Sequence, residues 1–155
     1  MSKYKEIGVN KKANYDYEIT EKFEAGIVLF GTEVKSLRNC KVNLADSYAG
    51  LTADSEVLIY QMNIPKYPLA NQMNHEPKRN RKLLLRKKEI RRLIGSVKKN
   101  GFSLIPLKIY FNEKGFVKIS LGLGKGKRNI DKRQTIKERE WNREKARILK
   151  NNGRN

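Results

Sequence analysis

The sequence predicts a mainly β protein with flanking α-helices, compatible with a small Greek-key barrel of the oligonucleotide-binding (OB-like) type that carries a basic C-terminal tail. Short stretches of alternating apolar and polar residues recur up to residue 124, and one stretch between them has helical periodicity. After residue 124 the alternation stops and basic residues dominate. We therefore expect one barrel domain over residues 1–124 and a tail over residues 125–155.

The first elements lie in the N-terminal half. Alternation over residues 15–19 and an apolar run over residues 27–30 predict two short strands or one bent strand. Thr32 is suited to cap a short helix over residues 33–38. Two further strands are predicted over residues 47–52 and 56–62. Three prolines and several asparagines over residues 63–81 then predict a loop.

The second half begins with one helix. Its apolar residues recur at i, i+3, i+4 and i+7, and they are Ile90, Leu93, Ile94 and Val97. Gly101 is placed to end this helix. Alternating stretches over residues 105–111 and 117–123 follow, and residues 112–115 between them predict a hairpin.

The tail differs in composition from the rest of the chain. Residues 125–155 contain twelve Lys/Arg, four acidic residues and few apolar ones, too little apolar area to offset the entropy of ordering. Residues 135–138 nevertheless have a capping-box pattern, and Trp141 and Ile148 would share one side of a helix that begins there. We expect a tail that is disordered alone and helical on a partner.

Charge is localised along the chain. Residues 1–77 contain nine Lys/Arg against ten Asp/Glu, whereas residues 78–155 contain 26 against six. Such a basic half favours a polyanionic partner, and nucleic acid is the best match. No apolar run reaches the roughly 18 to 20 residues that span a bilayer, and the N-terminus lacks the apolar segment of a signal peptide. We therefore expect a soluble cytoplasmic protein that binds no membrane.

Two basic clusters are candidate RNA contacts. The first runs from the loop onto the polar face of the helix and comprises Lys78, Arg79, Arg81, Lys82, Arg86, Lys87, Lys88, Arg91 and Arg92. The second comprises Lys125, Lys127 and Arg128, followed by Asp131, Lys132 and Arg133, and its glycine, Gly126, would let the backbone approach a phosphate chain closely. The alternatives are a solvated helix face for the first cluster and a flexible basic linker for the second.

Catalysis and metal binding have little support. Cys40 and His75 are the only residues of their types, so neither an intramolecular disulfide nor a Cys/His zinc site can form. Glu24 and Glu33 could be metal-binding carboxylates of a nuclease, but no third ligand accompanies them. Cys40 is interpreted as structural, and His75 as a surface or loop-packing residue. We predict a non-enzymatic protein without cofactor or metal.

The sequence resembles the small protein B family, which binds transfer-messenger RNA (tmRNA, or SsrA). The matching stretches occur in the family's order, and they are residues 10–13, 23–26, 31–38, 46–49, 81–85, 124–127, 131–133 and 136–139. The resemblance implies an oligonucleotide-binding-type barrel that grips the tRNA-like domain of tmRNA. It also implies delivery of tmRNA to stalled ribosomes for trans-translation, with the basic tail reading the empty mRNA channel near the decoding centre.

The resemblance also implies the site residues. The family's RNA-gripping positions match Asn10, Glu24 and Leu84, and we expect basic support from Lys11, Arg38 and Lys82. Lys125, Lys127 and Arg128 of the second basic cluster are further expected RNA contacts. The family's tail positions match Asp131, Lys132, Arg133, Ile148 and Leu149, and we expect Trp141, on the same side of the helix as Ile148, to join them at the decoding centre. The expected partners are tmRNA and the small-subunit rRNA, and the free protein is expected to be monomeric. A protein that binds rRNA directly is the alternative, and a metal-dependent nuclease is a distant third.

Three positions depart from the family pattern. Ile130 stands directly before Asp131 where the family commonly has His, Tyr15 stands where it often has His, and Cys40 stands where it often has Gly. Tyr15 could still stack on a base, whereas Ile130 cannot.

Overall fold

The computed structural model describes residues 4–70, 73–127 and 129–152, with the side chains of residues 99–100, 129–136 and 152 excepted. Within these ranges the chain forms seven β-strands and four α-helices. The strands are β1 (Lys5–Val9), β2 (Tyr17–Ile27), β3 (Tyr48–Leu51), β4 (Val57–Tyr60), β5 (Arg81–Leu84), β6 (Ser103–Phe111) and β7 (Val117–Gly126). The helices are α1 (Ala13–Asp16), α2 (Gly31–Asn39), α3 (Lys87–Asn100) and α4 (Asn129–Asn152).

The strands form one antiparallel sheet that closes on itself. Their order is β1-β6-β3-β4-β5-β2-β7, and the additional pairing of β7 with β6 closes a ring of six strands. β1 lies outside this ring and pairs with the end of β6, where Lys5 faces Phe111. The predicted mainly β fold with flanking helices is confirmed. Assignment of the barrel to the oligonucleotide-binding type stays a prediction.

The hydrophobic core fills the barrel and extends beneath α2 and α3. Ile59, Ile109 and Leu121 are completely buried inside the barrel. Leu37 of α2 and Leu93 of α3 are buried in the same cluster. Burying each such side chain contributes about 1.5–3 kcal/mol, so both helices are held by their apolar faces.

Several predicted elements are present with small differences. α3 ends at Gly101, whose φ of 65° is the left-handed conformation that glycine adopts without strain. The hairpin of β6 and β7 is also as predicted. Of the two predicted alternatives for the first strand region, β2 is the single bent strand, with a bulge between Ile19 and Glu21. β7 continues through Gly126, two residues past the expected domain boundary.

α2 begins differently from the prediction. The residue before the helix is Phe30, whose backbone N–H donates to Oε1 of Glu33 at 2.8 Å. Thr32 does not cap the helix, because its hydroxyl instead lies 2.9 Å from Nδ1 of His75. Nε2 of His75 lies 2.9 Å from the carbonyl oxygen of Ile64. Since a carbonyl only accepts, Nε2 carries the proton and the Thr32 hydroxyl donates to Nδ1. His75 is buried and holds the 61–80 loop against α2.

A buried ion pair replaces part of the predicted basic surface. The guanidinium of Arg81 and the carboxylate of Glu33 are both fully buried and pair directly. Arg79 adds a second contact to Glu33 at 2.5 Å. Further donations from Arg81 reach the carbonyl oxygens of Met62 and Pro77. The prediction that Arg81 faces RNA is therefore wrong, because its buried side chain neutralises Glu33 and fastens the loop. Arg79 also contacts Glu33 but keeps a quarter of its side chain exposed, so its contact with RNA stays a prediction. The same contacts remove Glu33 as a metal ligand.

The tail forms α4, and the described side chains of this helix, those of residues 137–151, are exposed. That the tail is disordered in the free chain stays a prediction. Among the helices in the described ranges, none is both long and apolar enough to cross a membrane.

Candidate nucleic-acid interface

Three predicted RNA-binding residues share the outer face of β2 and β5. Alternation along β5 turns Arg81 and Leu83 inward and leaves Lys82 and Leu84 outward. Leu84 is 51% exposed. It pairs with Gly26 of β2, and Glu24 lies two residues away on the same side of that strand. Glu24, Lys82 and Leu84 therefore form one patch, called here the outer face.

Gly26 lies between Leu84 and Lys118 on this patch. A Cβ at Gly26 would lie 3.4 Å from Cβ of Leu84 and 3.7 Å from Nζ of Lys118. Lys118 is paired with Gly26 on β7, so its ammonium flanks Leu84 from the other side. The outer face thus presents an apolar side chain between the cations of Lys82 and Lys118. Lys82 also pairs with Glu56 at 3.0 Å, but both side chains are nearly half exposed, so the pair is weak.

Glu24 is fixed by a neighbour that the sequence analysis did not assign to the site. The hydroxyl of Tyr110 on β6 donates to Oε2 of Glu24 at 2.5 Å, and Tyr110 is only 7% exposed. Burial, followed by this hydrogen bond and the carboxylate's charge, raises the pKa of Tyr110 above its usual value, so the phenol stays a neutral donor. Among the described residues, Oε1 of Glu24 accepts no hydrogen bond and is left for a ligand.

An aromatic cluster adjoins this pair. The rings of Tyr4 and Tyr110 lie 5.3 Å apart. Nζ of Lys108 lies 5.2 Å from the centre of the Tyr110 ring and 3.1 Å from the hydroxyl of Tyr4. The cation is thereby held over aromatic surface near Glu24.

Asn10 and Lys11 lie elsewhere, on the segment between β1 and α1. The backbone N–H of Asn10 donates to the carbonyl oxygen of Leu107 at 2.7 Å, and its side-chain Nδ2 donates to that of Pro106 at 3.0 Å. Asn10 is thus anchored to β6 through two bonds, and its Oδ1 remains an acceptor. Lys11 is exposed beside it.

The remaining predicted contacts are spread around the barrel. Arg38 is exposed on α2, and its carbonyl oxygen accepts from Nζ of Lys5 at 2.6 Å. Nζ of Lys125 lies 5.0 Å from the centre of the Phe102 ring. The N–H of Lys127 donates to the carbonyl oxygen of Asp16 at 2.9 Å. Arg128 lies outside the described residues.

The predicted tail residues lie on α4. Trp141, Ile148 and Leu149 are all more than half exposed, and Nζ of Lys145 lies 5.3 Å from the Trp141 ring. The guanidinium of Arg139 lies 6.0 Å from the ring of Tyr15 on α1, which brings the helix near the barrel. The side chains of three further predicted residues lie outside the described ones, and these residues are Asp131, Lys132 and Arg133.

Tyr110 and Lys118 are the site residues that sequence reasoning missed. Both occupy the polar positions of alternating strands, which assigns them to the outside of the sheet but to no site. Only the register of β6 on β7 makes Tyr110 and Lys118 a cross-strand pair, and only the pairing of β7 with β2 brings them to Glu24. The described residues contain no cluster of three or more His, Cys, Asp or Glu side chains arranged to hold a metal ion.

Comparison with known proteins identifies relatives along nearly the whole chain. Residues 7–151 match the protein-family model described as SmpB protein. An SsrA-binding protein of Wolbachia sp. subsp. Drosophila simulans (strain wRi) is 54% identical over 146 residues, which cover 94% of this chain and 97% of that protein. An SsrA-binding protein of Agrobacterium fabrum (strain C58 / ATCC 33970) is 53% identical over 146 residues, which cover 94% and 91%.

A solved structure agrees with these relatives. It is described as "tmRNA-SmpB: a journey to the center of the bacterial ribosome", and its matching chain is 47% identical with a TM-score of 0.64. The match covers 83% of this chain and 92% of that chain. The resemblance inferred from the short motifs is confirmed by the family match and by both relatives. This chain belongs to the SmpB family.

Proposed function

We propose that this chain binds tmRNA through its barrel and delivers it to stalled ribosomes for trans-translation. Relatives more than 50% identical are named SsrA-binding proteins, and a structural neighbour is described with tmRNA and the bacterial ribosome. The observation that carries the proposal is the outer face, where half-exposed Leu84 lies between two cations and beside the Tyr110-fixed carboxylate of Glu24.

Each part of the outer face suits a different group of a folded RNA. Lys82 and Lys118 would neutralise phosphates and release counterions, which supplies affinity. Leu84 would cover the apolar surface of a ribose or an unstacked base. Oε1 of Glu24 can accept only from a donor, such as a 2′-hydroxyl or a base amino group, and phosphates offer no such donor. Glu24 would therefore favour particular nucleotides, whereas the two lysines, which bind phosphates, would not.

The tail would act on the ribosome. Trp141, Ile148 and Leu149 expose apolar surface on a helix that otherwise carries many charges, so they would pack against rRNA or ribosomal protein in the empty mRNA channel. Asp131, Lys132 and Arg133 would act by charge. The role is binding and positioning, since peptide transfer belongs to the ribosome. The site of action would be the cytoplasm, where bacterial ribosomes work.

Recovery of RNA with the full chain tests the proposal. The tagged protein is purified from native cytosol, and the bound RNA is sequenced. tmRNA should dominate the recovered RNA, and Leu84→Ala should reduce its recovery, whereas Leu69→Ala should not because Leu69 is an exposed loop residue outside the proposed face. If ribosomal RNA dominated and tmRNA were not enriched, direct rRNA binding would replace tmRNA delivery as the function.

A further inference from the structure

A second candidate site lies on the barrel away from the residues of the outer face. A cleft of about 760 Å³ opens between β1 and the 41–45 segment, and its lining includes Lys11, Lys12 and Lys41. A smaller cleft of about 130 Å³ adjoins it and is lined in part by Asn10 and Tyr48. Lys12 and Ala45 line both clefts, so the two clefts are neighbours, and together they are called here the trough.

The wall of the trough is built by a close backbone approach. The N–H of Val42 donates to the carbonyl oxygen of Ile7 at 3.2 Å, which joins the 41–45 segment to β1. A Cβ at Gly8 would lie 2.1 Å from the carbonyl oxygen of Val42, so only glycine permits this approach. Ile7 and Val42 are buried beneath it. The shape of the trough is therefore determined by backbone contacts and buried residues rather than by exposed side chains.

The charge of the trough suits a polyanion. Lys11, Lys12 and Lys41 are exposed along the larger cleft, where Glu6 is the acidic residue. Asp16 lines the smaller cleft, and its carbonyl oxygen accepts from the N–H of Lys127. This bond brings the base of the lysine- and arginine-rich tail to the same edge.

Tyr48 stands at the far end of the trough as a supported aromatic platform. Its ring is stacked on that of Tyr60, with centres 5.1 Å apart and planes 22° apart. Tyr48 is nevertheless 54% exposed. Because one face of the Tyr48 ring is stacked on Tyr60, the side chain of Tyr48 is already held in place. It therefore has little conformational freedom left to lose when a second planar group binds to its other face. If Tyr48 served only to stabilise the sheet by cross-strand stacking, its ring could be more buried and stabilise the sheet equally well.

We propose that this trough binds an RNA strand, with Lys12 and Lys41 on successive phosphates and an unstacked base on the exposed face of Tyr48. The proposal rests on the proposed function, because it assigns a second contact region to the same RNA partner. Lysines that track the backbone beside an aromatic side chain form the usual arrangement for a strand whose bases are unpaired. Asn10, which lines the trough, would connect it to the contacts expected from the family.

Two sets of variants separate stacking from charge. Tyr48→Ala and Tyr48→Leu remove the aromatic face, and Leu keeps apolar packing on Tyr60 in case Ala disturbs the sheet. Tyr48→Phe retains the aromatic face. Lys12→Gln with Lys41→Gln removes two charges. The controls lie outside the linings of both clefts, where Phe116→Ala removes an exposed aromatic residue of the β6 and β7 hairpin and Lys66→Gln an exposed lysine of the 61–80 loop.

The measurement is the affinity of each full-length variant for the tRNA-like domain of tmRNA over a range of salt, together with its thermal unfolding. Tyr48→Ala and Tyr48→Leu should weaken binding by roughly 5- to 150-fold with an unchanged salt slope, while Tyr48→Phe binds like wild type. The lysine double variant should reduce the slope of log K against log salt by about 1.4–1.8. Both controls should bind like wild type.

The possible failures are distinct. Wild-type affinity in Tyr48→Leu would overturn the stacking contact, and a wild-type salt slope in the lysine double variant would overturn the phosphate contacts. Equal losses in the control variants would also overturn the site, because the effect would then be general. Failure of the wild-type chain to bind this RNA would instead contradict the proposed function.

Discussion

The hydroxyl of Tyr110 on β6 donates to the carboxylate of Glu24 on β2, and the 2.5 Å bond spans the intervening strand β7. A carboxylate on an exposed strand ordinarily samples several rotamers, and ordering it on binding costs free energy. Tyr110 removes part of this cost because the nearly buried ring cannot follow the carboxylate into solvent. Tyr110 is therefore a positioning residue, and Glu24 is the group expected to meet the RNA.

Tyr110→Phe tests this relationship. The variant keeps the ring and loses one hydrogen bond, so we expect tmRNA affinity to fall by about 0.5–1.5 kcal/mol, or roughly 2- to 12-fold in Kd. The measurement is binding to the tRNA-like domain in wild-type and Glu24→Ala backgrounds. Tyr110→Phe should have little effect once Glu24 is absent. An equal loss in both backgrounds would show that Tyr110 acts independently of the carboxylate.

Leu84→Ala should weaken RNA binding without unfolding the barrel. The side chain is already half exposed, so its removal costs the fold little, whereas burial under RNA would be worth up to about 1.5–3 kcal/mol. Affinity and the free energy of unfolding are measured together. Leu69→Ala is the matched control, since Leu69 is 78% exposed in the loop. Unchanged affinity of Leu84→Ala would withdraw Leu84 from the interface.

Glu33→Gln should destabilise the fold and alter its acid sensitivity. Burial by itself raises the pKa of Glu33, but the Phe30 N–H and the guanidinium groups of Arg79 and Arg81 hold that pKa below its ordinary value of 4.5. A carboxylate with a lowered folded-state pKa contributes stability above the unfolded-state pKa, and this contribution is lost as pH falls through the folded-state value. Removing one partner of a buried pair costs about 3–5 kcal/mol.

The measurement is denaturant unfolding of wild type and Glu33→Gln from pH 7 down to pH 3. The difference in stability should be largest near neutral pH and should shrink below pH 4.5. Glu56→Gln, which breaks an exposed pair with Lys82, should cost less than about 1 kcal/mol at any pH. A constant difference for Glu33→Gln at all pH values would contradict the assigned ionisation.

We expect that a truncation just after β7 separates tmRNA binding from the tagging of nascent chains on stalled ribosomes. Because Gly126 still pairs with Tyr17 and the N–H of Lys127 bonds to Asp16, the chain should be cut after Lys127 to leave the barrel intact. This truncation should retain tmRNA binding and lose tagging of nascent chains on stalled ribosomes. Replacing both Ile148 and Leu149 by Asp in the full chain should have the same effect. Loss of tmRNA binding, or tagging at the normal rate, would contradict this division.

The sequence predicted elements whose pattern is local. α3 has four apolar residues at helical spacing and a terminal glycine, and the β6 and β7 hairpin has alternation on both sides of a turn. β1 was missed because Ile7 is its one buried residue. β5 was missed because its inward residues are Arg81 and Leu83, and an arginine in the core makes the segment resemble a basic loop.

The candidate site was predictable only in part for the same reason. The family resemblance supplied Glu24 and Leu84, but no sequence pattern shows that Glu33, far along the chain, removes Arg81 from the basic surface. The role of Tyr110 likewise depends on strand register across β7. Contacts between residues distant in sequence decide which charges reach the surface, and spacing along one strand does not contain that information.

The position of β6 in the sheet determines when the newly made chain can fold. β1 and β3 both pair with one edge of β6, so these two earlier strands cannot complete their pairing until residues 103–111 have been made. At a synthesis rate of roughly 5–20 residues per second, β1 stays unpaired for about 5–20 s after it is made. The ring of strands can therefore close only late in synthesis, and its pairings between residues distant in sequence favour slow folding.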